Sequence, residues 1–300
     1  MVGLLHMTEL TQISRRHHFV SQFYLRAWHD PDGSGFWLYT RTKNGHICLH
    51  RRPAKSVAYL ENLYSLRPNG LPFGPLATSD EPERTFFSRI DDAAARIHQN
   101  LICSDINSVS FDEKWVWSLF LNSLLERSPK RISEIEQAVP STEIATEFTR
   151  RWQSTHMQKV WNKIDINAAV RNSLLAALPA YIVNKPFLDY LAQMCWNTFD
   201  ISNGTDHFLT GDYPLVVNHG QSDRPIYLLS IALSPKRLLV IHPHAPEFDL
   251  EFLRKITVTH NIQVTSQTKT HLVSSKKLNN SSRIRYIQMV EQKLSSVKTL

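Results

Sequence analysis

Two arginines followed by two histidines form the densest group of chemically active side chains in the sequence: Arg15, Arg16, His17 and His18. Histidine can transfer protons near neutral pH or bind a metal, and arginine binds phosphate. The residues that follow at helical spacing are Phe19, Phe23, Leu25 and Trp28. This pattern predicts a short helix over 17–29 with the histidines in its first turn. Because adjacent helical residues point about 100° apart, one histidine would face a site and the other would pack or cap. A hydrogen-bonded core histidine is the alternative.

The turn Thr210-Gly-Asp-Tyr-Pro214 is a second polar group and lies between two apolar runs. Asp212 could bind a metal, act as a base or orient a histidine, with Thr210 as a supporting hydroxyl. A turn aspartate also commonly hydrogen-bonds its own backbone, so a structural role is equally open. Since both motifs are polar turns beside apolar segments of one chain, we expect them to meet in space.

Arg127 ends a helix whose face is otherwise apolar. A guanidinium in that position could clamp a phosphate or carboxylate with two hydrogen bonds. It could instead cap the helix carbonyls and pair with Glu126 or Glu134. The adjacent Asp91 and Asp92 fall within a predicted helix and are expected to face solvent.

The composition allows a substantial core, since the 300 residues are 42% hydrophobic. The net charge of +7 is compatible with a nucleic-acid or phosphate partner, and equally with an ordinary soluble surface. The three cysteines are far apart and form no CxxC pair, which argues against a disulfide framework or zinc–thiolate site and favours a cytoplasmic location. No signal peptide and no membrane span are predicted. Dinucleotide, P-loop, zinc-protease and nucleophile-elbow motifs are absent from the sequence.

The order of predicted elements favours an α+β fold in one globular domain over 14–275. We expect a small N-terminal antiparallel sheet, a central helical bundle and a C-terminal strand-helix unit. Residues 1–13 are predicted to be a flexible leader, and 276–300 an extension packed on the domain. Predicted strands are 36–40, 46–49, a third within 57–66, 225–233, 237–242, 271–274 and 284–290. Predicted helices are 81–101, one beginning with a capping box at Ser110, 130–138, 141–164, 166–178, 186–198 and 248–267.

Several short motifs in this order resemble the bacterial domain-of-unknown-function family DUF4238. The matching residues, spread over roughly 14–275, are His17, His18, Tyr24 and Leu25, then Arg127 and Pro129, then Thr210, Asp212 and Pro214, then Leu233, Ser234 and Pro235, and finally Asn261. The sequence departs from the family pattern at three positions: Ser21 and Ala232 stand where proline is usual, and Gly211 stands where serine is usual. The resemblance supports the extent of the domain and draws attention to Asn261, but the family implies no particular reaction.

Together these motifs predict a bacterial hydrolase that acts on a phosphodiester or nucleotide, with a metal-assisted phosphodiesterase or a nuclease-like effector as the specific candidates. His17 or His18 would be the acid, base or ligand, and Asp212 the carboxylate ligand or base. Arg127 would hold phosphate with help from Arg16, and Asn261 would donate a positioning hydrogen bond. His18 and Asp212 would suit Mn²⁺, Ni²⁺ or Zn²⁺ better than Mg²⁺. The alternatives are a non-catalytic binding module for an acidic ligand or nucleic acid, and a structural protein whose polar motifs are caps and turns.

Overall fold

The computed structural model describes residues 15–42, 46–67, 70, 80–138, 143, 146–147, 165–201, 206–219, 228–243 and 250–279. The predicted leader at 1–13, most of the predicted helix at 141–164 and the predicted strand at 284–290 lie outside these ranges. The same holds for the C-terminal extension beyond residue 279.

The helices with defined bounds belong mainly to the middle of the chain. They are α1 (Gln22–Leu25), α2 (Ser88–Cys103), α3 (Phe111–Glu126), α4 (Pro129–Ala138), α5 (Ile166–Ile182), α6 (Lys185–Gln193) and α7 (Leu250–Gln267). A π-helical turn, Glu83–Phe87, leads directly into α2. The capping box predicted at Ser110 is confirmed, because the Ser110 hydroxyl accepts from the Glu113 amide and the Glu113 carboxylate accepts from the Ser110 amide.

The strands form antiparallel sheets at both ends of the described chain. They are β1 (Arg16–His18), β2 (Phe36–Arg41), β3 (Ile47–Arg52), β4 (Tyr59–Glu61), β5 (Cys195–Asp200), β6 (Thr210–Gly211), β7 (Val216–Asn218), β8 (Leu228–Ser234), β9 (Arg237–His242) and β10 (His271–Ser274). One sheet has the order β3-β2-β10-β6, another has the order β5-β9-β8-β7, and β1 pairs with β4. The α+β class is therefore confirmed.

Two strands differ from the sequence-based expectation. The segment 17–29 is not one helix: β1 occupies Arg16–His18, and α1 begins only at Gln22. The helix predicted over 186–198 ends at Gln193, and β5 follows at Cys195 and pairs with β9. In both places long-range strand pairing overrides the local helical pattern.

The N-terminal sheet is completed by the C-terminal part of the chain. In β10, Leu272 pairs with Tyr39 of β2 on one side and with Gly211 of β6 on the other. A Cβ on Gly211 would lie 2.6 Å from Thr268 Oγ1 and 2.7 Å from the His271 carbonyl oxygen, which explains glycine at this position.

A large apolar core joins the N-terminal segment to the helices and to the β5-β9-β8-β7 sheet. Tyr24, Leu25 and Trp28 are fully buried in it, together with Trp117 and Phe120 of α3. This packing fixes the turn after β1 against α2 and α3, where most of the polar groups discussed below are found.

By length and composition alone, one helical stretch in the described ranges, Ile166–Gln193, is apolar enough to cross a membrane. It consists of α5 and α6, and Asn184 caps the second of these helices through its side chain. Asn122 of α3 donates hydrogen bonds to the carbonyls of Tyr181 and Ile182 at the end of α5.

Candidate functional site

Arg127 occupies the sharp turn between α3 and α4, as its position at the end of an apolar helix predicts. Its side chain is fully buried. The guanidinium carbon lies 5.6 Å from the centre of the Phe87 ring and 6.0 Å from that of Phe120, within the range of cation–π attraction. A charge in such surroundings requires polar partners, because an unpaired buried cation is costly.

Those partners come from the N-terminal turn and from α2. Arg127 Nη1 lies 3.0 Å from Asp91 Oδ1, and Nη2 donates to the Ser21 hydroxyl. The Ser21 hydroxyl donates in turn to Asp91 Oδ1 over 2.7 Å. The expectation that Asp91 faces solvent is therefore wrong. Neither predicted glutamate pairs with Arg127 here, since Glu126 and Glu134 both lie within ion-pair range of Arg131.

His17 lies on the buried side of β1 and has a structural partner. Its Nδ1 atom accepts the Tyr64 amide hydrogen over 2.9 Å, and the two rings stack with centres 5.5 Å apart. The Tyr64 hydroxyl donates to the Arg127 carbonyl oxygen over 2.7 Å. His17 therefore supports the turn that carries Arg127, in agreement with the alternative of a core histidine.

Arg16 and His18 share the opposite side of β1, because side chains alternate along a strand. Arg16 is exposed, and its guanidinium carbon lies 5.1 Å from the centre of the Tyr59 ring. His18 is partly buried, and burial lowers its pKa; the Lys55 carbonyl opposes this shift, and the charges of Arg127 and Arg16 add to it. The His18 ring is therefore neutral at pH 7 and able to accept a proton.

Glu83, in the π-helical turn before α2, is a candidate that sequence reasoning missed. It is partly buried, and its Oε2 atom is enclosed without a hydrogen-bond partner among the described residues. Burial raises its pKa to about 7, although the nearby charge of Arg127 opposes this shift. The only sequence signal was its position at the start of a helix, where acidic residues are common for reasons unrelated to chemistry.

Asp212 is held by the turn that precedes β10. Its Oδ1 accepts the Lys269 amide hydrogen over 3.0 Å, and its Oδ2 accepts those of Thr270 and His271. Burial raises its pKa to about 6, against these three donors, so the carboxylate is ionised at pH 7. Its observed contacts are those of a structural turn residue.

Asn261 and Thr210 also make structural contacts. Asn261 accepts the Leu209 amide hydrogen and donates to the His207 carbonyl, which anchors the segment before β6 to α7. The Thr210 hydroxyl lies 2.9 Å from that of Tyr24, which also donates to the Ala232 carbonyl. The N-terminal motif thus meets the Thr210–Pro214 turn through Tyr24, as expected.

The predicted site residues therefore belong to two groups. His17, His18, Arg16 and Arg127 surround the turn after β1. Thr210, Asp212 and Asn261 instead fix the segments around β6 to Tyr24, to the turn before β10 and to α7, respectively. Within the described ranges, no group of three or more His, Cys, Asp or Glu side chains could hold a metal ion. His18 and Asp212, the predicted metal ligands, belong to different groups, and neither is part of such a set in the described ranges.

Comparison with known proteins gives one informative result. The family model described as "Protein of unknown function (DUF4238)" matches residues 16–276. Neither the curated proteins nor the solved structures contain a match. The matched segment begins at β1 and ends just after β10, so it includes both polar groups and every sheet described above. The chain therefore belongs to the DUF4238 family of proteins of unknown function.

Proposed function

We propose that this protein is a hydrolase acting on a phosphodiester or nucleotide at the cluster formed by Arg16, His18, Glu83 and Arg127, hereafter the Arg127 cluster. Parts of the His18 and Glu83 side chains are exposed, whereas His18 Nε2 and Glu83 Oε2 are enclosed, so a substrate would have to displace neighbouring side chains to contact these two atoms. Arg127 is fully buried and supplies a fixed positive charge behind them. Arg16 adds an exposed cation on the His18 side of β1.

The proposed chemistry divides acid and base roles between two groups with different environments. Neutral His18 would remove a proton from the attacking water. Glu83, which holds its proton up to a pH of about 7, would donate that proton to the leaving oxygen. The positive charges of Arg16 and Arg127 would attract the phosphate and stabilise negative charge that develops on it.

One observation carries the proposal: a buried carboxyl oxygen of Glu83 has no hydrogen-bond partner in the described ranges, although it lies in the field of a buried arginine. Buried polar atoms without partners are uncommon in folded proteins and call for a ligand, a catalytic role or a water molecule. π-Helical turns such as Glu83–Phe87 frequently occur at functional sites.

Hydrolysis of bis(4-nitrophenyl) phosphate and of a panel of nucleotides tests the proposal. Glu83→Gln should lower kcat by about 100-fold or more, the usual contribution of a general acid. Glu81→Gln is the matched control, because Glu81 is an exposed carboxylate in the same segment. It should retain full activity. Absence of turnover with every substrate, or equal rates for the two variants, would contradict the proposal.

A non-catalytic nucleic-acid-binding module is the second candidate, and a partly exposed group of one cation and two aromatic rings on β1 and β4 favours it. Arg16 lies over the Tyr59 ring, and the centre of the His18 ring is 5.5 Å from that of Tyr59. Cations and aromatic rings together suit stacking of single-stranded bases.

Fluorescence anisotropy with a labelled single-stranded RNA distinguishes this candidate. Arg16→Ala should weaken binding and reduce its salt dependence, whereas Arg26→Ala, which removes an exposed arginine elsewhere, should not. Binding that depends on Arg16 without any hydrolysis would favour the binding module over the enzyme. If RNA does not bind even at low salt, this candidate is excluded.

A further inference from the structure

A cavity of about 360 Å³ lies between α7 and the β5-β9-β8-β7 sheet, apart from the Arg127 cluster. Its size falls within the range of small-molecule sites. The Gln263 side chain of α7 donates to Asn218 of β7 over 3.1 Å and ties the helix to the sheet at this cavity. The cavity is thus built by two elements that are fixed to one another.

The walls are mainly apolar. Leu228, Leu238 and Val240 line the cavity from the sheet, and Ile256 lines it from the helix. Of these, Leu238 and Val240 are almost completely buried. Such a surface favours the apolar body of a ligand, since the transfer of apolar groups out of water is favourable.

One pair of polar side chains is set into this apolar wall. The Ser230 hydroxyl lies 3.0 Å from His260 Nδ1, and both residues are more than nine-tenths buried. His260 Nε2 is enclosed and has no hydrogen-bond partner within the described ranges. Burial lowers the pKa of His260 to about 3, so the ring stays neutral. The wall therefore offers a hydrogen-bonding group but no charge.

The positive charge at this cavity is found on its exposed side. Lys255 and Thr259 both line the cavity from α7, and both are exposed to solvent. We infer that the cavity binds a small organic acid, with its apolar body against the sheet residues and its carboxylate directed towards Lys255. A carboxylate suits this place because it can stay partly hydrated while it interacts with the lysine.

Calorimetric titration with 1-naphthoate, and with the uncharged 1-naphthalenemethanol for comparison, tests the inference. The wild-type protein should bind 1-naphthoate saturably. Lys255→Met should weaken that binding by about fivefold, the effect of a partly exposed ion pair, and leave the alcohol unaffected. Lys269→Met, which removes an exposed lysine beyond the end of α7, should change neither affinity.

A second pair of variants tests the location independently of charge. Thr259→Trp places a large ring at the exposed side of the cavity and should weaken binding of both compounds at least about tenfold, since the ring competes for the same space. Val258→Trp adds the same ring at the neighbouring exposed position, which does not line the cavity, and should leave binding unchanged. Melting temperatures establish that each variant is folded.

Three results would overturn the inference. The first is the absence of saturable binding to the wild-type protein. The second is equal loss with Thr259→Trp and Val258→Trp, which would place the ligand elsewhere. The third is equal weakening of the acid and the alcohol by Lys255→Met, which would exclude a carboxylate-binding role for the lysine.

Discussion

Arg127 Nη1 lies 3.0 Å from Asp91 Oδ1, so the turn after α3 is joined to α2 by a largely buried ion pair. Removing one member of such a pair leaves an uncompensated charge, whereas the intact pair contributes less than its Coulomb attraction suggests. We therefore expect the loss of one member of the pair to destabilise the fold more than the loss of both. The groups around the pair give further tests.

Arg127→Met should destabilise the fold by about 3–5 kcal/mol, because it leaves Asp91 buried and charged. The double variant Arg127→Met with Asp91→Leu should recover part of this loss, since no buried charge remains. Urea unfolding of the two single variants and of the double variant measures the coupling. Strictly additive losses would show that the ion pair is not the main interaction of either residue.

Ser21→Pro should be more stable than Ser21→Ala by about 0.5–1 kcal/mol, because proline restricts the unfolded chain. The native Ser21 backbone has φ −63° and ψ 139°, which proline adopts without strain. Both variants should be less stable than the wild-type protein, since each loses the hydroxyl that bridges Arg127 and Asp91. Thermal melting of the three proteins checks the order, and a proline variant below the alanine variant would contradict it.

Glu83→Gln should become progressively more stable than the wild-type protein as the pH rises from 4.5 to about 7. Folding raises the pKa of Glu83 above its ordinary value of 4.5. The stability that the protonated side chain contributes is therefore fully present below pH 4.5 and is lost as the pH rises to about 7. Above pH 7 the difference should have grown by up to about 3 kcal/mol, the free energy that corresponds to a rise of the pKa from 4.5 to about 7. Melting temperatures between pH 4 and 8 measure it, with Glu81→Gln as control; a constant difference would disprove the raised pKa.

Asp212→Asn should destabilise the protein by about 2–3 kcal/mol, because an amide cannot accept all three backbone hydrogen bonds that the carboxylate accepts. Asp206→Asn is the control, since Asp206 is exposed in the segment before β6. Chemical denaturation compares the two variants. A stability loss below 1 kcal/mol in Asp212→Asn would return Asp212 to the candidates for a functional carboxylate.

The parts of the fold that sequence predicted correctly have local causes. The capping box at Ser110 and the end of α3 at Arg127 depend on neighbours within one helical turn. The strand at 271–274 also has the predicted bounds, although its pairing with β2 and β6 was not predicted. Such elements can be recognised because nearby residues determine them.

The parts that were missed depend on distant partners. β1 forms because Arg16–His18 pairs with Tyr59–Glu61, which no local pattern reveals. Asp91 has the local pattern of a solvent-facing acid, because its partner Arg127 is brought against α2 only by α3. Glu83 acquires its raised pKa from burial, which the charge of Arg127 opposes. The sequence of β5 did contain a signal, because Trp196, Thr198 and Phe199 favour a strand. The prediction of a helix over 186–198 did not take this preference into account.

The place of β10 between β2 and β6 has a consequence for synthesis of the chain. One edge of β2 can pair with β3 early, but its other edge must wait for His271–Ser274 to leave the ribosome. At ordinary elongation rates that delay amounts to tens of seconds, during which an unpaired strand edge is open to association with other nascent chains. Chaperone contact with Phe36–Arg41 during translation would protect the protein over this interval.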